Sequence, residues 1–240
     1  MNSVDHSFDD PASNLALDEV LLRGAISGEW GETLRFWESP SYFVVLGLTQ
    51  KVSAEVNVDR CEADGVPILR RCSAGGCVVQ GPGCLNYTLV LSGNQRPEIQ
   101  TIHGSYAYIL GRIVEGLGAD GLHRAGISDL AVGDLKVSGN AQRRHKDFIL
   151  LHGTLLYGAD IGVISRYIQE PNERPEYRGS RKHEAFVANL DISRSRLVEA
   201  ISLGFGAEMD AASVLPSEGL ERVERLAEEK YRLKSWNYRK

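Results

Sequence analysis

Residues 70–87 read Arg-Arg-Cys-Ser-Ala-Gly-Gly-Cys-Val-Val-Gln-Gly-Pro-Gly-Cys-Leu-Asn-Tyr. Two arginines, a serine, a Gly-Gly pair and a second glycine turn are packed into this one stretch, and an apolar run follows. Glycine permits positive φ and close approach to the main chain. Arginine supplies a permanent charge and a planar fork of donors that suits phosphate and carboxylate. Together they describe a place where main-chain N–H groups and guanidinium groups cradle an anion. A glycine-rich hairpin with two solvated arginines has the same composition, and on these residues alone the two readings stand level.

A second stretch bears on the choice. Residues 129–142, Asp-Leu-Ala-Val-Gly-Asp-Leu-Lys-Val-Ser-Gly-Asn-Ala-Gln, are followed by His152-Gly153-Thr154-Leu155-Leu156. The pattern is a strand, a tight turn at Gly133-Asp134, a strand carrying Lys136 next to small residues, and a third strand ending in His-Gly-Thr. Side chains alternate along a strand, so Leu135 and Val137 point away from the face that carries Lys136. That lysine either lays its stem in a pocket or guards a sheet edge, and for a lone lysine the edge is the commoner role.

The two stretches together resemble the lipoate–protein ligase A family. The family pattern Arg-Arg-x-Ser-Gly-Gly-Gly-x-Val, a glycine turn and Leu-Asn-Tyr is matched at Arg70, Arg71, Ser73, Gly75, Gly76, Val78, Leu85, Asn86 and Tyr87. The later Asp-Leu, Lys-x-Ser-Gly-x-Ala and His-Gly-Thr-Leu-Leu are matched at Asp129, Leu130, Lys136, Ser138, Gly139, Ala141 and 152–156. Weaker echoes lie at 14–19, at 44–47 with Gln50, and at Lys230-Tyr231 with Trp236-Asn237-Tyr238, so the likeness spans nearly the whole chain.

The resemblance implies an ATP-dependent enzyme that joins lipoate to a lysine of a lipoyl carrier domain through lipoyl-AMP. It implies Lys136 between carboxylate and α-phosphate, with backbone N–H groups of Gly75, Gly76 and Cys77 around the adenylate phosphate. Arg71 would meet the acyl carbonyl or phosphate, and Ser73 would fix the turn. Asn86, Gly139, His152 and Thr154 are further substrate-site positions, each equally open to a structural role. Asp129 is the candidate for orienting Mg²⁺. Leu46, Val78 and Leu156 are expected to line an apolar slot for the acyl tail.

Size and composition fit this. A chain of 240 residues can bury a substantial core, and one catalytic domain over 1–240 is the simplest reading. The net charge of −5 argues against a general nucleic-acid binder. Basic residues cluster at 143–146 and 174–183, either to meet an acidic partner or a phosphate or, more commonly, as solvated charge. The N-terminus has no basic and apolar leader pattern, and no apolar run approaches the length of a membrane span, so a cytoplasmic protein is expected. Cys61, Cys72, Cys77 and Cys84 have neither C-x-x-C nor zinc-site spacing, which points to free thiols in a reducing compartment.

The chain is read as α+β. Helices are expected at 14–25 (N-cap Ser13 or Asn14), 53–63, 101–117, 195–204 and 217–231. Strands are expected at 34–37, 43–46, 67–71, 85–91, 129–132, 135–140 and 147–156. Residues 166–184 read as an exposed connection, or as a loop that orders on ligand. Short turns between neighbouring strands favour antiparallel pairing. The resemblance implies the same: the biotin/lipoate ligase fold, a mostly antiparallel sheet flanked by helices and similar to class II tRNA-synthetase domains.

Some features depart from the family pattern. Ala74 replaces the first glycine of the triplet, and Gln80, Gly81 and Cys84 stand where the family often has His-Asp and Asn. The chain ends near Trp236 without the C-terminal accessory domain of longer ligases, so a separate accessory subunit supplies that function or none is needed. One rival is an octanoyl or lipoyl transferase of the same superfamily, which works through a cysteine thioester without ATP. Its Pro-Cys-Gly signature is missing and the loop 125–128 holds no cysteine, which leaves Cys72, Cys77 and Cys84 as unusual candidates for the nucleophile. A non-catalytic lipoate- or adenylate-binding subunit is the second rival, and a biotin ligase is a weaker third.

Overall fold

Alternation along the strands decides which side of the sheet becomes the site. The computed structural model describes residues 1–207 and 217–239. Its strands are β1 (Asn2–Asp5), β2 (Thr33–Trp37), β3 (Phe43–Leu46), β4 (Ile68–Arg70), β5 (Val78–Gln80), β6 (Cys84–Ser92), β7 (Leu122–Ala125), β8 (Asp129–Val132), β9 (Leu135–His145) and β10 (Phe148–Leu156). Seven form the main sheet in the order β1-β2-β6-β10-β9-β8-β7, and β4-β3-β5 form a second, smaller sheet. Only β1–β2 and β3–β4 pair in parallel; the remaining named pairs are antiparallel.

The helices are α1 (Pro11–Ser27), α2 (Val52–Glu55), α3 (Val58–Ala63), α4 (Ile102–Leu117), α5 (Gly162–Tyr167), α6 (His183–Phe186), α7 (Arg194–Phe205), α8 (Ser217–Leu226) and α9 (Lys234–Asn237), with a π-helical turn, Ala227–Tyr231, continuing α8. On one face of the main sheet Leu85, Tyr87, Leu89 and Leu91 of β6 and Ile149, Leu151 and Leu155 of β10 meet α4 and α7. On the other face Trp37, Val90 and Leu150 meet α1 and α8. Asn86, His152 and Thr154 have the parity of this second face. Polar residues therefore punctuate the apolar strands on this face, Asn86 and Thr154 lining a cavity and Arg35 and His152 bonded to Asp18 of α1.

Several elements differ from the sequence reading. The N-cap of α1 is Asp10, whose carboxylate accepts the amides of Ala12 and Ser13, with Pro11 at the first helical position. Asn14 is instead buried and bonded to Phe8. The expected helix at 53–63 is broken at Val56, which bridges Ile168. Strands β1, β5 and β7 were not anticipated; each is only three or four residues long. The polar segment 166–184 is no simple exposed connection. Arg178, His183 and Phe186 within or beside it are buried, and it folds as a strap over the site. Among the described residues no helix is long and apolar enough to cross a membrane.

Candidate active site

Lys136 reaches the site because β9 carries a bulge. Ala131 pairs with Lys136 but Leu130 pairs with Ser138, so one extra residue, Val137, interrupts the register. The slip reverses side-chain parity. Lys136 thereby joins the face of Gly139, Ala141, His152 and Thr154, while Val137 enters the main core. A methyl group on Gly139 would lie 3.1 Å from Lys136 Cε and Nζ, so the glycine gives the lysine its room. The ammonium pairs with Asp129 Oδ1 at 2.8 Å.

The glycine loop after β4 lines the same two cavities as the lysine. Gly75 has φ of 101°, a conformation that L-residues avoid. Ala74 has no positive φ, so alanine in place of the family's glycine leaves the turn unstrained. Gly47 approaches so closely that a Cβ there would stand 1.9 Å from the Gly75 carbonyl oxygen.

The two adjacent arginines have different work. Arg70 is wholly buried and donates to the carbonyls of Gly47, Leu48, Gln50, Trp236, Asn237 and Arg239. It ties the loop after β3 to the last helix. Arg71 faces the site but is braced by the loop: Nε donates to Ser73 Oγ at 3.0 Å and Nη2 to the Ala74 carbonyl at 2.9 Å. Burial lowers its guanidinium to about 10, which still leaves it cationic at neutral pH.

Ser73 Oγ is 2.6 Å from His152 Nε2, and His152 Nδ1 is 3.0 Å from Asp18 Oδ2. Asp18 Oδ1 receives Arg35 Nη1 at 2.6 Å. The geometry resembles a Ser-His-Asp triad. However, Ser73 is 1% exposed and lines neither cavity, so it is a brace and not a nucleophile. Burial alone would raise the Asp18 carboxyl; Arg35 and the His152 ring outweigh it and hold it below the usual range.

Two cavities meet here. One, of about 340 Å³, reaches Leu15, Trp37, Val45, Ile102 and Tyr106 and includes Arg71, Asn86, Asp129 and His152. The other, of about 690 Å³, lies under the strap and includes Lys51, Leu156, Asn172, Arg178, His183 and Phe186. Their shared wall is Gly75, Gly76, Cys77, Val78, Gln80, Lys136, Gly139 and Thr154. Leu46, expected to line the slot, is instead fully buried in the core around the small sheet.

Gln80 closes a polar ring on the shared wall. It donates to Thr154 Oγ1 at 2.7 Å, Thr154 donates to Asn86 Oδ1 at 2.8 Å, and Asn86 donates back to Gln80 Oε1 at 2.9 Å. Asn86 and Thr154 are thus bonded to one another as well as turned to the site. Sequence reasoning did not single out Asp18, Tyr177 or Arg178. Asp18 was within reach through the motif at 14–19; for the strap the basic cluster at 174–183 was the only signal, and it did not distinguish Tyr177 or Arg178 from its neighbours.

Burial keeps the thiols protonated. Cys77 and Cys84 are each pushed up to about 12 and Cys61 to about 11 by burial, and burial with Glu19 raises Cys72. Among the described residues no three His, Cys, Asp or Glu side chains cluster as a metal site.

The fold is an α+β domain with a paired-cavity site on one face of its main sheet, and comparison with known proteins gives its class. Residues 10–200 match the model of the lipoyl protein ligase A/B catalytic domain, and the chain belongs to that family. Lipoate–protein ligase 1 of Staphylococcus aureus is 27% identical over 97% of this chain and 71% of its own length. Octanoyltransferase LipM of Bacillus anthracis is 28% identical over 96% of this chain and 95% of its own. Among solved structures, a bi-partite lipoate protein ligase described with its E2 lipoyl domain, from Thermoplasma acidophilum, superposes with a TM-score of 0.83 at 22% identity, covering 99% of this chain and 95% of that one. Lipoate-protein ligase A bound with ATP superposes with a TM-score of 0.82 at 23% identity, covering 99% and 98%. At these identities the structural likeness establishes the fold. The family holds both ligases and transferases, so the chain is an enzyme of the lipoate ligase and octanoyltransferase group.

Proposed function

We propose that the chain is an ATP-dependent lipoate–protein ligase. The observation that carries this reading is that Lys136 lines the wall shared by two cavities together with Gly75, Gly76 and Cys77. Activating a carboxylate with ATP needs such a junction. The acid enters from one side and the α-phosphate from the other, and negative charge builds between them. A fixed cation and preorganised N–H donors stabilise that charge.

The smaller cavity, with Leu15, Trp37, Val45 and Ile102, suits the acyl chain. The larger one, with Lys51, Asn172, Arg178 and His183, suits the nucleotide. The carboxylate attacks the α-phosphorus and pyrophosphate leaves. The amine of an acceptor lysine then attacks the acyl carbonyl and AMP leaves. Lys136 neutralises the developing oxyanion in both steps, and Arg71 supports the loop that presents the amides. Asp129 offers a single carboxylate whose oxygens are engaged by Lys136 and Tyr177. Mg²⁺ therefore fits as an ion carried on the ATP phosphates, with Asp129 at most one of its ligands.

The acceptor in this reading is a lipoyl domain, the partner named for the Thermoplasma ligase. Residues 1–240 act as one catalytic domain. That relative is described as bi-partite, which supports a division in which any accessory role belongs to a separate polypeptide.

The transferase reading is favoured by one observation: the LipM relative matches along 95% of its own length. Against it stand Cys61, Cys72 and Cys84, which are buried and line neither cavity, and the absence of cysteine from the loop 125–128. Half-buried Cys77 does line both cavities, but desolvation pushes its thiol up to about 12, where thioester chemistry needs a thiolate. Incubation with ATP, Mg²⁺ and lipoate separates the two. A ligase releases pyrophosphate and places a lipoyl group on the acceptor lysine, and Cys77→Ser retains that activity. An octanoyl adduct on a cysteine after exposure to octanoyl carrier, with no pyrophosphate from ATP, contradicts the ligase.

A further inference from the structure

Tyr177 lies outside both sequence motifs, yet it is bonded to the residue that holds the site's lysine. The Asp129 carboxylate is divided between two partners: Oδ1 pairs with Lys136 Nζ at 2.8 Å and Oδ2 accepts the Tyr177 hydroxyl at 2.9 Å. Tyr177 belongs to the 3-10 turn Glu176–Arg178 of the strap, and its ring packs on Phe186 with centroids 5.1 Å apart. The residues directly after the strap are joined to the lysine's own backbone. Val187 bridges Lys136, and the Ala188 amide donates to the Lys136 carbonyl at 2.9 Å. One segment thus grips Lys136 at its main chain and, through Asp129, at its ammonium.

A carboxylate this close competes with the substrate for the ammonium. Left with a free second oxygen, Asp129 can rotate and take Lys136 with both oxygens, drawing it off the junction. A hydroxyl on Oδ2 fixes the plane of the carboxylate and disperses its charge, so that the amine is held in place but weakly enough to transfer. Burial and the neighbouring Asp129 both raise the Tyr177 hydroxyl, which keeps it a donor at neutral pH.

The geometry points to Tyr177 as a positioning residue that sets Lys136 for reaction through Asp129, so that seating of the strap and alignment of the lysine form one event. The inference rests on the ligase reading of the site. It also distinguishes Tyr177 from the rest of the strap. Glu170 accepts Arg178 Nη2 at 2.7 Å and holds the wall of the larger cavity without touching Asp129.

The test compares Tyr177→Phe with Glu170→Gln in ATP–pyrophosphate exchange with lipoate on the full chain, with thermal melting of each. Tyr177→Phe is expected to melt with the wild type and to lose about tenfold in kcat, the worth of one hydrogen bond to a charged group, with KM for ATP little changed. Glu170→Gln is expected to raise KM for ATP and spare kcat. A Tyr177→Phe enzyme with wild-type kcat, or one whose loss lies in KM as for Glu170→Gln, overturns the assignment. If the wild-type chain exchanges no pyrophosphate but moves octanoyl between carriers, the ligase reading fails. The same kcat comparison on that transfer then decides the role of Tyr177.

Discussion

Ser73 and His152, far apart in the chain, share a hydrogen bond of 2.6 Å beneath the glycine loop. Through it the buried pair Asp18–Arg35 is connected to Arg71 and the Ala74 carbonyl. The loop that presents the Gly75–Cys77 main chain is therefore held from below by side chains of β2, α1 and β10. His152→Gln is expected to leave the fold intact and to lower kcat about tenfold to a hundredfold, because a misplaced loop loses orientation and not charge. Steady-state kinetics with a melting curve checks this. Unchanged kcat contradicts the brace.

Asp18→Asn tests the lower half of the same relay through stability. Arg35 is fully buried, and its ion pair with Asp18 is 2.6 Å long. Breaking such a pair on one side leaves an uncompensated charge and costs about 3–5 kcal/mol. Urea denaturation of wild type and variant measures it.

Gly139→Ala moves Lys136 without removing it. The added methyl would stand 3.1 Å from Cε and Nζ, and only the flexible end of the lysine can yield. A loss of about tenfold in kcat is expected for a displaced cation, smaller than the loss of about a hundredfold or more for Lys136→Ala. Equal rates for Gly139→Ala and wild type would remove the bulge-built placement of Lys136 from the account.

Glu19 gives the protein an acid-sensitive joint. Its side chain is 3% exposed and meets Lys230, Tyr231 and Arg23. Burial raises the carboxyl, but the hydrogen bonds from Lys230 and Tyr231 and nearby charge bring it from 4.5 down to about 2. A depressed folded-state value stabilises the protein above pH 4.5, and the contribution fades as pH falls toward 2. Its worth at neutral pH is on the order of 3 kcal/mol. Glu19→Gln is expected to be less stable at pH 7 and to converge on the wild type between pH 4.5 and 2, as followed by denaturation at each pH. A constant difference across that window contradicts the linkage.

Arg70→Lys separates the two motif arginines. A lysine cannot reproduce a fork that serves six carbonyls. The expected result is faster amide exchange in residues 234–239 and in the loop 47–50, together with a lowered Tm. Protection unchanged at both places contradicts the tie.

The sequence carried the strands that bear the motifs and the antiparallel pairing around Gly133-Asp134, because those are local patterns of glycine, charge and alternation; that Lys136 shares a cavity wall with Gly75, Gly76 and Cys77 was expected only from the family resemblance, since a lone strand lysine is more often an edge residue. It put Arg71 at the site but gave Arg70 no task of its own, since that task depends on Trp236 and Asn237 arriving from the other end of the chain. Nor did it reveal the bulge at Val137, which exists only in the pairing of β9 with β8. Asp10 won the cap over Ser13 because Pro11 sets the helix start and Asn14 is drawn into the core by Arg35. Tyr177 and Arg178 looked like residues of a polar loop; both pack on Phe186, which leaves Tyr177 bonded to Asp129 and Arg178 to Glu170.

The most direct measurement of the central claim is a crystal structure with a non-hydrolysable lipoyl-adenylate analogue. The account expects the phosphate within hydrogen-bond distance of Lys136 Nζ and the Gly75–Cys77 amides, the acyl chain beside Trp37 and Tyr106, and the nucleoside under the strap. An analogue bound with its phosphate remote from Lys136 contradicts it.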